Sequence, residues 1–268
     1  MCYRRRRATV VKVSVPLEHW LNLVVTNPCI LITTIDSYGN VDGMPGKVFA
    51  TISYWPPMVL IGVAPFEHTY MNIRDTGEFV INLASMDQLE KIWVMAQRFP
   101  RRVNKVELAD FSEIGSEKVK PPRIEECKVH LECRKQWMKR AGDHFAITGL
   151  VVAASADKDV LTEDYHLILD KVKQVHHLGF SGIPFGPDFV GLGSEVFHVS
   201  KLGCSKYEIA PFEEWLAEMK ERGCVKSEKM ALIKNLSKRL EKGKPEEHKK
   251  CKEELAPLLR EIIEAAKT

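Results

Sequence analysis

The sequence predicts a mainly β protein, an antiparallel barrel followed by a C-terminal helical extension. Three observations carry this expectation. Up to Gly203 the apolar, β-branched segments outnumber the helical ones and do not alternate with helices as βαβ units would, which argues against a doubly wound parallel sheet. Charged residues fill 28 of the 63 positions from 206 to 268 but only 47 of the preceding 205, so the chain changes character near Gly203. A length of 268 residues suits one large domain plus an appendage, and is enough to bury a core without disulfide staples. The expected division is 1–203 for the barrel and 204–268 for the extension.

The elements follow in order. CILITTI (Cys29 to Ile35) is a β-branched strand closed by the turn residues Asp36, Ser37, Tyr38, Gly39 and Asn40. Val48 to Ser53 reads as a second strand. Pro56 and Pro57 then interrupt pairing before MVLIGV (Met58 to Val63) resumes as a buried strand. Gly77 introduces EFVINLA, and a helical stretch runs from Met86 to Ala96. A charged loop ends at Pro121 and Pro122. Val129, Leu131 and Cys133 alternate with polar residues as a half-buried strand does, and FAITGLVVAASA follows as a long strand. In the extension, Phe212, Trp215, Leu216 and Met219 lie at helical spacing before Gly223. Met230, Ile233, Leu236 and Leu240 form a second stripe ended by Gly243. Cys251, Leu255, Leu258, Leu259 and Ile262 form a third, which Pro257 should kink or restart. Each stripe needs a surface to cover, and a helical cap on the main domain is the simplest reading.

Composition removes several function classes. The net charge of +3 argues against a dedicated nucleic-acid binder, and the basic run Arg4 to Arg7 is too short to change that. Seven cysteines, odd in number and without a CxxC pair, fit neither a zinc finger nor a secreted disulfide framework, so a reducing cytoplasm is the expected setting. No apolar run is long enough for a membrane span, and MCYRRRR is not followed by the apolar stretch of a signal peptide. There is no phosphate loop ending in Lys and Ser or Thr, no HExxH and no G-x-S-x-G. GLGSEV at Gly191 to Val196 lacks the third glycine of a dinucleotide fingerprint, and His176 and His177 have no ligand partner at metal spacing.

Two neighbouring segments stand out: VDGMPGKVFATISYWPPMVLIGV (Val41 to Val63) and FEHTYMNIRDTGEFVINL (Phe66 to Leu83). KPPRIEECKVHLEC (Lys120 to Cys133) and GDHFAITGLVVAA (Gly142 to Ala154) follow in order. Together, from about Pro16 to Val199, they resemble the flavin reductase-like, flavoredoxin-type family, an FMN-binding split barrel. The resemblance implies a six-stranded, antiparallel Greek-key split barrel with flanking helices. It also implies a homodimer and an NAD(P)H-dependent flavin reductase that passes hydride from NADH or NADPH to FMN and electrons on to a small-molecule or protein acceptor. A non-enzymatic FMN-binding electron carrier or flavin-storage protein would use the same segments. Neither reading requires nucleic acid or a membrane.

The residues fit that chemistry on their own terms. A phosphate dianion needs hydroxyls, backbone N–H groups and a cation. His68, Thr69 and Asn72, with Arg74, follow a strand at the start of a helical turn and can supply them. Thr69 equally suits the cap of a helix beginning at Tyr70. By resemblance, Gly46, Lys47, Val48, Thr51, Ile52 and Ser53 meet the polar edge of the flavin ring through main-chain groups. Asp42, Pro45 and Lys47 depart from the residues usual there. Lys47 can stabilise negative charge on reduced flavin or lie at the surface. By resemblance, His144, after Gly142 and Asp143, faces the nicotinamide side of the flavin and is the candidate catalytic residue, and a strand-end histidine bonded to Asp143 is the alternative.

Overall fold

The computed structural model describes residues 13–17, 20, 23, 27–178, 188–192, 196–198, 212–242 and 245–266. Its strands are β1 (Asn27–Pro28), β2 (Ile30–Ile35), β3 (Val41–Gly46), β4 (Phe49–Ser53), β5 (Met58–Val63), β6 (Glu78–Leu83), β7 (Glu113–Ile114), β8 (Arg123–Ile124), β9 (Val129–Ala141), β10 (His144–Ala156), β11 (Val175–His177), β12 (Asp188–Gly191) and β13 (Val196–His198). Its α-helices are α1 (His68–Thr76), α2 (Leu89–Ala96), α3 (Lys105–Leu108), α4 (Leu169–Val172), α5 (Phe212–Glu221), α6 (Ser227–Lys242) and α7 (Pro245–Ala266). The expected boundary near Gly203 and the stop at Gly243 lie outside the described residues.

One antiparallel sheet dominates, in the order β3-β2-β6-β9-β10-β5-β4. Its two edge strands, β3 and β4, are consecutive in the chain and are joined by Lys47 and Val48 alone. Laid flat, seven strands would hold their edges roughly 29 Å apart. Two linking residues reach only about 11 Å. The sheet must therefore roll until its edges meet. Accordingly Ile30 and Ile32 of β2 share one core with Val59, Ile61 and Val63 of β5, Phe79 and Ile81 of β6, and Ile147 of β10.

The bend is taken up in the β9–β10 hairpin. Register shifts occur between Thr148 and Gly149 and between Val151 and Ala153, and such bulges bend a strand and raise its twist. At Gly149 the Phe79 ring lies against the backbone, and a Cβ there would stand 2.4 Å from Phe79 Cζ. On the other face of β2, Leu31 joins Ile92 and Met95 of α2, Val106 of α3, Ile124 and Val175 in a second core. A strand covered on both sides reads as a continuous apolar run, which is why CILITTI does not alternate.

The expected six-stranded barrel is thus corrected to a seven-stranded sheet, open along the seam between β3 and β4. Within this sheet, the strand that sequence reasoning passed over is β3, VDGMPG, whose Asp, Gly and Pro are depleted in strands. It pairs because it is an edge. Pro45 lies opposite Leu31 and needs no donor on its outer side. At Gly43 a Cβ would come within 2.8 Å of Val106 Cγ2, so only glycine admits α3 so closely.

The C-terminal stripes fall as the sequence predicts. Trp215, Leu216, Met219, Ile233, Leu236, Leu240, Cys251, Leu255, Leu259 and Ile262 form a third core, shared with Phe99, Val103 and Leu108 from the segment after α2. Gly223, at φ 77°, follows α5 as expected. Helix α7 continues through Pro257 rather than restarting there. Pro257 and Glu253 are both exposed, so the proline lies on the solvent side of the helix. Among the described residues, no helix is long and apolar enough to cross a membrane.

Gly149→Ala should lower unfolding stability by about 1–3 kcal/mol in a denaturant titration, because the added methyl collides with Phe79. Combined with Phe79→Leu it should cost clearly less than the sum of the two single changes. An additive pair would mean that the contact does not set the bend.

Candidate functional site

Strand β5 ends at Val63, and a turn closed by Glu67 N–H donating to the Ala64 carbonyl leads into α1. The helix begins at His68 rather than at Tyr70. Its N-cap, Glu67, is extended and makes no side-chain cap bond, and no acidic residue stands in the first turn. The leading N–H groups and the positive end of the helix dipole therefore have no anionic side chain of their own turn to answer them. Thr69 is not the cap: it is fully buried, and its hydroxyl donates to Asp42 Oδ2 of β3 over 3.1 Å.

Around this helix end the chain gathers cations. The other oxygen of Asp42 lies 3.5 Å from Lys105 Nζ and 4.0 Å from His68 Nδ1, and both Asp42 and Lys105 are buried. Arg98 stacks over the Phe66 ring at 4.3 Å, just ahead of the helix. Buried Nε atoms of Arg98 and Arg101 have no hydrogen-bond partner, nor does Asp42 Oδ1. Burial pushes His68 below the usual histidine range; Asp42 pulls against this, while Lys105 and Arg101 add to the push. Asn72 is a buried strut: its Nδ2 donates to Thr34 Oγ1 over 3.1 Å, while its Oδ1 has no partner. Arg74, at the far end of α1, pairs with Asp75. The helix thus presents an uncapped N-terminus beside His68, Arg98, Arg101 and Lys105, which suits a phosphate or another anion.

The second predicted set lies along the seam. Gly46 ends β3 opposite Ile30 and is buried. Lys47 and Val48 form the link between the two edges; burial pushes the Lys47 ammonium below its usual range. The Val48 carbonyl accepts from Gly62 N–H over 3.1 Å. Thr51 and Ile52 are exposed on β4, and Ser53 pairs with Met58. Asp42 and Gly46 share β3 about 13 Å apart, so this one strand connects the cationic cluster with the seam.

His144 sits at the tip of the β9–β10 hairpin, where Gly142 adopts φ 65°. Its Nδ1 is 2.9 Å from Asp143 Oδ1, and that hydrogen bond holds the Asp143 carboxyl below the usual range. The next residue, Phe145, pairs with Val63 of β5, and its ring lies 4.6 Å from that of Tyr70 in the first turn of α1. Strand pairing therefore carries His144 to the same end of the barrel as the helix N-terminus. Sequence reasoning missed Arg98, Arg101, Lys105 and the central place of Asp42. The signal was present in Arg98-Phe99-Pro100-Arg101-Arg102 followed by Lys105, which reads as an ordinary charged loop until α1 is placed beside it.

Residues 23–176 match the flavin reductase like domain. An uncharacterized protein of Aquifex aeolicus is 30% identical over 164 residues, 59% of this chain and 84% of that one. An NADH:riboflavin 5'-phosphate oxidoreductase of Streptomyces pristinaespiralis is 26% identical over 128 residues, 48% of this chain and 70% of that one. Among solved structures, a split-barrel protein of flavin-reductase type from Shewanella frigidimarina superposes with a TM-score of 0.59 at 16% identity, covering 69% of this chain and 93% of that one.

If the cluster at α1 takes up an anion, its charge should favour the protonated His68. In an NMR titration His68 should begin below the ordinary histidine range and move upward when inorganic phosphate is added. An unmoved His68 at saturating phosphate would place the anion elsewhere.

Proposed function

The chain belongs to the flavin reductase-like family, and from that premise we propose that it binds FMN and passes hydride from NADH or NADPH to it, with the electrons going on to a small-molecule or protein acceptor. The observation that carries this reading is the uncapped N-terminus of α1 with His68, Arg98, Arg101 and Lys105 beside it. A phosphate dianion fits that donor set, which offers first-turn N–H groups, a ring that gains from protonation and buried guanidinium N–H groups without a partner. Thr69 and Asn72 hold the helix to β3 and β2 rather than standing open to solvent.

The seam serves the ring of the cofactor. Because β3 and β4 are edges, their outward main-chain N–H and C=O groups are not used by the sheet, and the stretch from Gly46 to Ser53 can offer such groups to a polar ring edge, the Val48 carbonyl excepted because Gly62 already holds it. Bound FMN supplies the redox chemistry. The protein needs no acid or base for hydride transfer itself. In this reading Lys47 balances negative charge, and His144, hydrogen-bonded to Asp143, holds the carboxamide of the nicotinamide.

A second copy of the chain completes the proposal. Val48, Ile52, Tyr54 and Trp55 are 44, 45, 93 and 89% exposed on and beside the β4 edge, an apolar surface that a partner subunit would cover. Cys29, Cys127, Cys133, Cys224 and Cys251 are all free thiols, which suits a reducing cytoplasm.

The purified protein should bind FMN at least tenfold more tightly than riboflavin, the phosphate contributing charge-assisted bonds. His144→Ala should keep that FMN affinity while slowing bleaching of the flavin band by NADH or NADPH in stopped flow. Equal affinity for the two flavins would remove the phosphate assignment. FMN binding without any NAD(P)H oxidation would favour the electron-carrier reading. In light scattering the protein should run as a dimer, and the double change Tyr54→Asp, Trp55→Asp should shift it towards the monomer.

A further inference from the structure

We propose that the C-terminal helices belong to the flavin-phosphate site, and that Arg102 is the positioning residue through which they act. This rests on the FMN reading above and adds to it, because α5, α6 and α7 lie beyond the residues 23–176 that match the family.

Residues 98–108 form a strap with two faces. Towards the helices, Phe99 lies 5.5 Å from the Trp215 ring and 6.1 Å from that of Phe212, and Val103 and Leu108 join the same core. Towards the barrel, Arg98 stacks on Phe66 and Lys105 pairs with Asp42, while the charge of Arg101 reaches α1 at a distance, pushing His68 and Asp75 downward. Among the described residues, Arg98, Arg101 and Lys105, the cations that join His68 at the start of α1, are all carried on this strap.

Arg102 fastens it. Its Nη1 donates to the Leu240 carbonyl over 2.8 Å and to the Glu241 carbonyl over 3.2 Å, at the end of α6, and lies 3.3 Å from His248 Nε2 of α7. On the barrel side its Nε is 3.4 Å from Asp36 Oδ2, and its guanidinium lies 5.2 Å from the Tyr38 ring. The last carbonyls of a helix lack intrahelical partners, so Arg102 answers them while it joins helices to barrel. Its backbone is left-handed, at φ 71°. That turn lets neighbouring residues serve different elements, Arg101 towards α1 and Arg102 towards α6 and α7. If the helices lose their hold, the strap shifts and the charges at α1 shift with it. An electrostatic contact with a phosphate depends on the separation, whereas stacking and main-chain contacts to the ring do not involve this strap.

The test uses the full chain and measures FMN and riboflavin affinity by flavin fluorescence, with thermal melting alongside. Arg102→Met should weaken FMN about tenfold and leave riboflavin within about twofold. Arg102→Lys keeps one cation but cannot span the same partners, and should fall between. Trp215→Leu approaches from the helix side, loosening the seat of Phe99 without touching a cation, and should show the same selective loss of FMN. Unchanged FMN affinity in folded Arg102→Met and Trp215→Leu would overturn the proposal, and so would an equal loss of both flavins, which is the mark of general damage. A wild-type protein that does not distinguish FMN from riboflavin would instead remove the phosphate reading on which the proposal stands.

Discussion

Two residues constrain the whole barrel. Lys47 and Val48 join strands that lie at opposite edges of a seven-stranded sheet, so the chain cannot make this connection unless the sheet closes on itself. The other features of the barrel accommodate that closure. The bulges in β10 supply the bend, and Gly149 lets Phe79 fill the space inside it. Gly62 performs a similar service at the seam, where a Cβ would stand 2.7 Å from Val48 Cγ1. The edges meet without pairing, so a rolled sheet retains a line of backbone groups outside its own ladder.

The candidate site lies where this closure brings distant segments together. Strand β5 delivers α1, its partner β10 delivers the hairpin tip with His144, and β3 delivers Asp42 beneath the first turn of the helix. The electrostatics are lopsided. Lys105 and His68 share Asp42, and Arg101 adds its charge beside a helix end that already carries a partial positive charge. The chain places this excess beside an N-terminus that it leaves uncapped, an arrangement better suited to an incoming anion than to helix stability alone.

The helical extension changes the meaning of the segment after α2. Phe99, Val103 and Leu108 find their apolar cover in α5 to α7, whereas Val106 of the same segment joins the second core. With that cover, the segment becomes a strap held from behind by an apolar core and presenting cations in front. Packing on one face thus sets the position of charge on the other.

The sequence by itself determined the antiparallel class, most of the sheet strands, the amphipathic stripes of the extension and the family resemblance. These are properties of local periodicity and of ordered motifs, and periodicity is written residue by residue. Tertiary structure alone decided that VDGMPG is a strand, because an edge position and the approach of α3 override the poor propensity of Gly and Pro. It decided that α1 starts at His68, and that Thr69 serves as a strut to Asp42 rather than as a cap. It also decided that Arg98, Arg101 and Lys105 gather beside α1 and that Arg102 bonds to the end of α6. Which charge meets which helix end depends on contacts between residues far apart in the chain, and those exist only once the sheet has rolled and the extension has docked.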